Sequence, residues 1–221
     1  ATFADDDAYT CYDMKTSDYR GIMFNFGNEY WQKNRDLIPA VCYGLDRQAI
    51  IDAVILGQGM PAYGPLQRNI YNCEDVEHYD YNPEKSKEIL EAAGCEMGDD
   101  GFYYRDGEKV GFVISVRAGD QVRIDMAQIA AQELKEIGMD VQINATADHN
   151  SIWKDASAWD VYVGANVNCG LGDPTNFFST HCLDASTKNR GQYHSDKMEE
   201  LAVQLNSTFD TAKRNQIAIE M

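Results

Sequence analysis

Positive charge is scarce in this sequence: 19 Lys and Arg stand against 36 Asp and Glu, a formal net charge of −17. No run of Lys or Arg makes a local exception. Phosphate backbones and anionic lipid surfaces are therefore repelled, which excludes nucleic acid as a partner and polybasic attachment to a membrane. Long apolar runs are missing too. Stretches such as Ala49 to Leu56 fall well short of the roughly 20 residues that a spanning helix needs. The chain has no charged start followed by an apolar segment, so a secretory leader is absent or already removed. The six cysteines (Cys11, Cys42, Cys73, Cys95, Cys169, Cys182) contain no Cys-x-x-Cys pair, which argues against a zinc ribbon or a thioredoxin-type redox site. Buried thiols and disulfides both remain open for them, and Cys169 with Cys182 is the first pair to test.

Catalytic signatures are equally absent. There is no Gly-x-Ser-x-Gly elbow, no phosphate-binding loop with Gly-Lys-Ser/Thr, no His-Glu-x-x-His and no EF-hand loop. The histidines His78, His149, His181 and His194 are too scattered for a metal site at the level of sequence, and no cofactor is expected. His181 beside Cys182, with Cys169 upstream, leaves a Cys/His hydrolase as a competing reading; a solvated histidine beside a structural cysteine gives the same pattern.

What is present describes a folded α/β protein. Of 221 residues, 44% are hydrophobic, enough to build a core, and the length allows roughly one to two domains. Alternation over Tyr19 to Phe26 predicts a strand. Helices are predicted over Asp36 to Tyr43, over Asp46 to Leu56 with Asp46 as N-cap, and over Pro83 to Ala93 with Asn82 as cap and Gly94 as stop. Asp106-Gly107 predicts a hairpin. Then come an alternating strand from Val110 to Val116, a helix from Asp120 stopped by Gly138, and another strand at Met139, Val141 and Ile143. A strand, helix, strand unit of this kind pairs its strands in parallel. A short helix over His149 to Asp155 and a strand over Trp159 to Val163 repeat the step. The fold class is α/β, a mixed sheet with flanking helices.

The strand ending near Val163 runs into Gly164 to Pro174, rich in glycine and asparagine. Ligands in open α/β sheets bind beyond the carboxyl ends of strands, glycine lets backbone approach a ligand closely, and amides recognise without charge. The same composition also describes a plain turn, and composition does not separate the two. The chain opens on an acidic, uncapped stretch and stops inside the amphipathic run Ala212 to Met221, so both ends read as interior to something longer.

An ordered series of segments carries a resemblance. Phe24-Asn25, Ala40 to Ile50, Gly57 to Ala62, Tyr81 to Gly94, Leu134 to Gly138, Trp159-Asp160-Val161 and Gly172 to Phe178 together resemble the extracytoplasmic solute-binding proteins of family 5, which serve oligopeptide, dipeptide and nickel ABC importers. The resemblance implies a periplasmic-binding-protein-like type II lobe. Residues 1–221 would form one domain, the second lobe of a two-lobed receptor, with the first lobe missing. It implies a protein outside the cytoplasm, either a cell-surface lipoprotein or periplasmic, that catalyses no reaction. Its partners would be a small-molecule or peptide ligand and the transmembrane subunits of an ABC permease. Asn166, Asn168, Cys169, Gly170 and Gly172 would line the cleft, Asp173 and Pro174 would shape the loop, and His149 either faces ligand or caps a helix in solvent.

Two departures bear on the ligand. Peptide-binding members carry an aspartate three residues ahead of the Asp-Pro aspartate, where it pairs with the peptide ammonium; the matching residue here is Gly170. Losing that anchor removes about 1.5 to 3 kcal/mol for a ligand with a free amino terminus. This favours a different ligand, such as a metal chelate. Nickel-type members place a tyrosine directly before Asp-Pro, where this chain has Gly172. A peptide-sensing receptor without import is a further reading.

Overall fold

A computed structural model describes residues 6–12, 16–66, 73–148, 150–167 and 173–221, with the backbone alone for Asn166 and Val167. In chain order the elements are β1 (Asp18–Phe24), α1 (Glu29–Lys33), α2 (Ile38–Tyr43), α3 (Arg47–Ile55), α4 (Pro83–Ala92), β2 (Glu96–Met97), β3 (Tyr103–Arg105), β4 (Glu108–Lys109), β5 (Gly111–Arg117), α5 (Gln121–Ile137), β6 (Asp140–Thr146), β7 (Val161–Val167), α6 (Thr175–His181), α7 (Asp196–Ser207) and α8 (Thr211–Glu220).

Local chemistry sets most of these boundaries. The Asp46 carboxylate accepts the Ala49 N–H at 2.9 Å and so starts α3, and Asn82 does the same for α4 through Lys85 at 2.9 Å. Asp120 caps α5 through the Arg123 N–H at 3.3 Å, and Gly138, in the left-handed region at φ 112°, ends it. Asp106 and Gly107 both have positive φ, 52° and 81°, as a two-residue turn between twisted antiparallel strands requires.

The main sheet has the order β1-β7-β5-β6. β5 is parallel to β6 and to β7, while β1 closes the sheet antiparallel to β7. The mixed sheet expected from the sequence is therefore present, with α5 as the crossover between β5 and β6. Register at the start of β5 is fixed by Gly111, where a Cβ would lie 2.2 Å from the Asp140 carbonyl oxygen. On one face, Phe112, Ile114, Val116, Val161 and Val163 pack under α1, α2, α4 and α5 with Trp31, Val41, Leu90 and Leu134. The other face carries a smaller group of Ile152, Trp159 and Tyr162, with Met23 and Trp153 against it. A third cluster, Leu66, Phe178, Met198, Leu205 and Ala218, binds α6, α7 and α8 together.

Four expectations are corrected. β7 does not end at Val163: it continues to Val167 because Asp18 to Gly21 of β1 supply ladder partners for Gly164 to Val167. The segment before Trp159 is not an α-helix but two 3-10 turns, Ile152–Lys154 and Ala156–Ala158. β7 lies beside β5, not beside β6, so β6 is an edge strand and Ile143 remains 36% exposed. Phe26 lies past the end of β1, where its N–H turns to the Gly191 carbonyl at 2.8 Å.

A carboxyl with a raised pKa is built into the helical layer. Glu133 of α5 accepts the Asp46 N–H at 3.1 Å, and burial pushes its carboxyl up to about 7 despite that bond, with Asp46 and Glu136 adding repulsion. A carboxyl raised above its unfolded value of about 4.3 binds more protons in the folded state than in the unfolded one. Stability should therefore fall as pH rises from about 4.3 through 7. In Glu133→Gln that decline should be shallower, as measured by urea midpoints across this range.

Candidate functional site

The parallel strands β5, β6 and β7 end at Arg117, Thr146 and Val167, and the chain leaves each at the same edge of the sheet. This is the edge at which open α/β sheets bind ligands. Asn166, expected in a loop, instead occupies β7 opposite Tyr19 of β1. Asn168, Cys169, Gly170, Gly172 and His149 lie outside the described residues. In the sequence, the end of β7 and Asp173 flank residues 168–172.

Asp173 is firmly held. Its carboxylate accepts the Thr175 N–H at 2.8 Å and meets Arg214 Nη2 at 3.2 Å. Hydrogen bonds from Thr175, followed by the Arg214 charge, hold the carboxyl below the usual range. Asp173 is accordingly an ion at neutral pH, spent on shaping the chain.

Arg117 was not singled out by the sequence. It is exposed at the carboxyl end of β5, beside Thr146 of β6, and pairs with no carboxylate among the described residues. Its signal was available: a cation as the last residue of an alternating strand, in a chain where acids outnumber bases. Among the described residues no group of three or more His, Cys, Asp or Glu could hold a metal ion.

The Cys/His pair has the wrong electrostatics for attack. Burial pushes the Cys182 thiol up to about 11. Burial, with Arg190 and Lys188 nearby, moves His181 below its ordinary value. An activated cysteine needs the opposite shift, towards the thiolate. Alkylation of Cys182 by iodoacetamide at pH 8 should be slower in the folded protein than in urea by on the order of 100-fold, judged by peptide mass spectrometry. Cys182 is a free thiol, and its suggested partner Cys169 lies outside the described residues.

The architecture is that of a periplasmic-binding-protein-like α/β lobe. NikZ from Campylobacter jejuni, solved in complex with Ni(L-His), superposes with a TM-score of 0.84 at 24% identity over 99% of this chain and 45% of its own. AppA from Bacillus subtilis, solved with a nonapeptide, gives 0.78 over 92% of this chain and 41% of its own. The chain belongs to the bacterial extracellular solute-binding proteins, family 5, whose middle-region profile matches residues 1–189. Among curated relatives, the oligopeptide-binding protein AppA of Bacillus subtilis is 34% identical over 128 residues, 56% of this chain. The nickel-binding protein NikA of Staphylococcus aureus is 24% identical over 92% of it. The chain spans 23% of the first relative's length and 40% of the second's. Both relatives are binding proteins, and among the described residues no helix is long and apolar enough to cross a membrane.

Proposed function

We propose that residues 1–221 form the second lobe of a two-lobed ABC-importer receptor, which captures a small peptide-like solute or nickel chelate outside the cytoplasm and hands it to the permease. The observation that carries this is membership of family 5 in a chain whose parallel strands all end at one edge, next to an uncharged Asn- and Gly-rich segment. Asn166, Asn168, Cys169, Gly170 and Gly172 line the cleft in this reading. His149 and Arg117 border it, and Asp173 shapes its exit. No reaction is catalysed, in keeping with a Cys182 thiol that burial keeps protonated. The protein is anchored as a lipoprotein or held in the periplasm.

Gly170 refines the ligand class. Without a carboxylate there, recognition does not depend on a ligand ammonium, so capping a peptide's amino terminus should cost little. Calorimetry on the whole receptor would compare Ni(II)–L-histidine, a free-amine nonapeptide and its N-acetylated form. The expected result is binding of the nickel chelate, or of both peptides within about tenfold of each other. Loss of the acetylated peptide by more than that would overturn the inference from Gly170, and failure of all three probes would overturn the assigned solute classes.

A further inference from the structure

The main sheet has two edges, and they are defended unequally. β1 carries Asp18 and Arg20 along its run, charges that discourage a further strand. β6 pairs with β5 alone among the described residues, and from Val141 to Thr146 it reads Val-Gln-Ile-Asn-Ala-Thr, without a charge or a proline. Its free side is chemically open. The Asp140 N–H bonds to the Val110 carbonyl and the Ala118 N–H to the Thr146 carbonyl, each at 2.8 Å, so the even-numbered residues of β6 turn their backbone groups to β5. Ile143 and Ala145, both exposed, turn theirs outward. Alongside runs a groove of about 360 Å³ between β6 and α5, lined by Ala131, Val141 and Ile143 and by the polar Gln128, Gln132 and Lys135. An edge of this kind accepts another strand unless something covers it.

We infer that β6 is a self-pairing edge, through which two copies of the chain join their sheets antiparallel about a two-fold axis at Ile143. In that register the strand is complementary to itself. Ile143 meets Ile143 of the partner subunit, Val141 the partner's Ala145, Gln142 the partner's Asn144 and Asp140 the partner's Thr146. Apolar side chains then share the face that carries the groove, amides meet amides on the other face, and no like charges are opposed. Charge selects a second copy over other strands. Arg117 is the register partner of Thr146, is exposed and pairs with no carboxylate among the described residues. Asp140 accepts from the neutral Gln142 Nε2 at 2.7 Å. On the joined sheet the partner's Asp140 lies on the same face as Arg117, two strand spacings or roughly 9.6 Å away between Cα atoms, within the combined reach of the two side chains. The two-fold axis makes this opposite-charge contact twice. Repulsion between two bodies of net charge −17 acts over longer distances, and at about 0.15 M salt it is screened beyond about 8 Å while the contacts are not.

Sedimentation equilibrium on the whole receptor, with amide hydrogen exchange in parallel, tests this. Mass should rise from one copy to two between about 1 and 100 µM, and protection at Ile143 and Ala145 should rise with it. Ile143→Lys, at an exposed position, sets two ammonium groups opposite each other at the axis and should keep the receptor monomeric over that range. Arg117→Asp or Asp140→Arg alone should weaken association by ~tenfold, and the two together should restore it to within about threefold of the parent. Because Arg117 also borders the proposed cleft, mass and exchange are the readouts, not solute binding. A parent receptor that stays monomeric throughout overturns the inference; if Ile143 and Ala145 are protected in that monomer, the rest of the same polypeptide covers the edge. A dimer that survives Ile143→Lys, or that the paired charge reversal fails to restore, overturns it as well, because the copies then meet elsewhere.

Discussion

Asn25→Ala is expected to destabilise the protein by about 3 to 5 kcal/mol, because it strands the Ala156 carbonyl and the Gly27 N–H and removes one of the two donors to the Trp159 carbonyl. Asn25 is fully buried. Its Nδ2 donates to the Ala156 carbonyl at 2.7 Å and the Trp159 carbonyl at 2.8 Å, and its Oδ1 accepts the Gly27 N–H at 3.1 Å. Each group left without a partner costs roughly 1 to 3 kcal/mol. Asn28 extends the network. It donates to the Trp159 carbonyl at 3.1 Å and to Asp160 at 3.0 Å, while the other Asp160 oxygen accepts the Val113 N–H at 2.8 Å. Asn25→Asp should do no better, since a carboxylate accepts from Gly27 but cannot donate to two carbonyls. Urea unfolding followed by circular dichroism measures the change; a loss below about 1 kcal/mol for Asn25→Ala would show that water repairs the network.

Trp31→Ala should cost a similar amount, about 3 to 5 kcal/mol, for a different reason. Trp31 is 1% exposed and lies where α1 meets the sheet. Its ring centroid lies 4.7 Å from that of Phe24, 5.1 Å from Tyr30 and 5.2 Å from Phe112, in tilted or edge-on arrangements. Truncation removes that area and leaves a cavity among β-strand and helix side chains that cannot collapse inwards. Trp31→Phe discriminates the causes. The indole Nε1 has no hydrogen-bond partner among the described residues, so phenylalanine forfeits volume but no bond and should cost only about 1 to 2 kcal/mol. Equal losses for the two variants would mean that the indole N–H matters after all. In a chain of this length a loss of 3 to 5 kcal/mol corresponds to roughly 10 °C in Tm, visible by scanning calorimetry.

The segments that carried the resemblance turn out, in several places, to be joints between distant parts of the chain. Phe24-Asn25 and Trp159-Asp160 bond to one another across more than 130 residues. Gly44 leaves room for Leu134 and Ile137, whose δ-methyls would lie 2.9 and 2.6 Å from an added Cβ. Ser86 of α4 donates to the Ala40 carbonyl at 2.7 Å from a fully buried position. These residues type the family through packing.

Local signals were the legible part. Asp46, Asn82 and Asp120 cap their helices through side chains one turn from their targets, so the sequence alone located those starts. Asp106-Gly107 likewise declared its turn. α6 and α7 went unread: α6 is short and leans on Arg214, and Ser195, which caps α7 through the Met198 N–H at 3.3 Å, follows a polar stretch without period. Where β7 stops was not legible either, since Gly164 to Val167 have the composition of a loop and become strand only because β1 offers a ladder.

By itself the sequence determined the fold class, the caps and turns, the family and the absence of basic surface, because each depends on neighbours within a few residues or on composition. The tertiary structure alone decided the strand order, the length of β7, the clamp of Arg214 on Asp173 and the protonation of Glu133 and Cys182. Those depend on which distant groups are brought together and on how far water is excluded from them, and neither is written in local spacing.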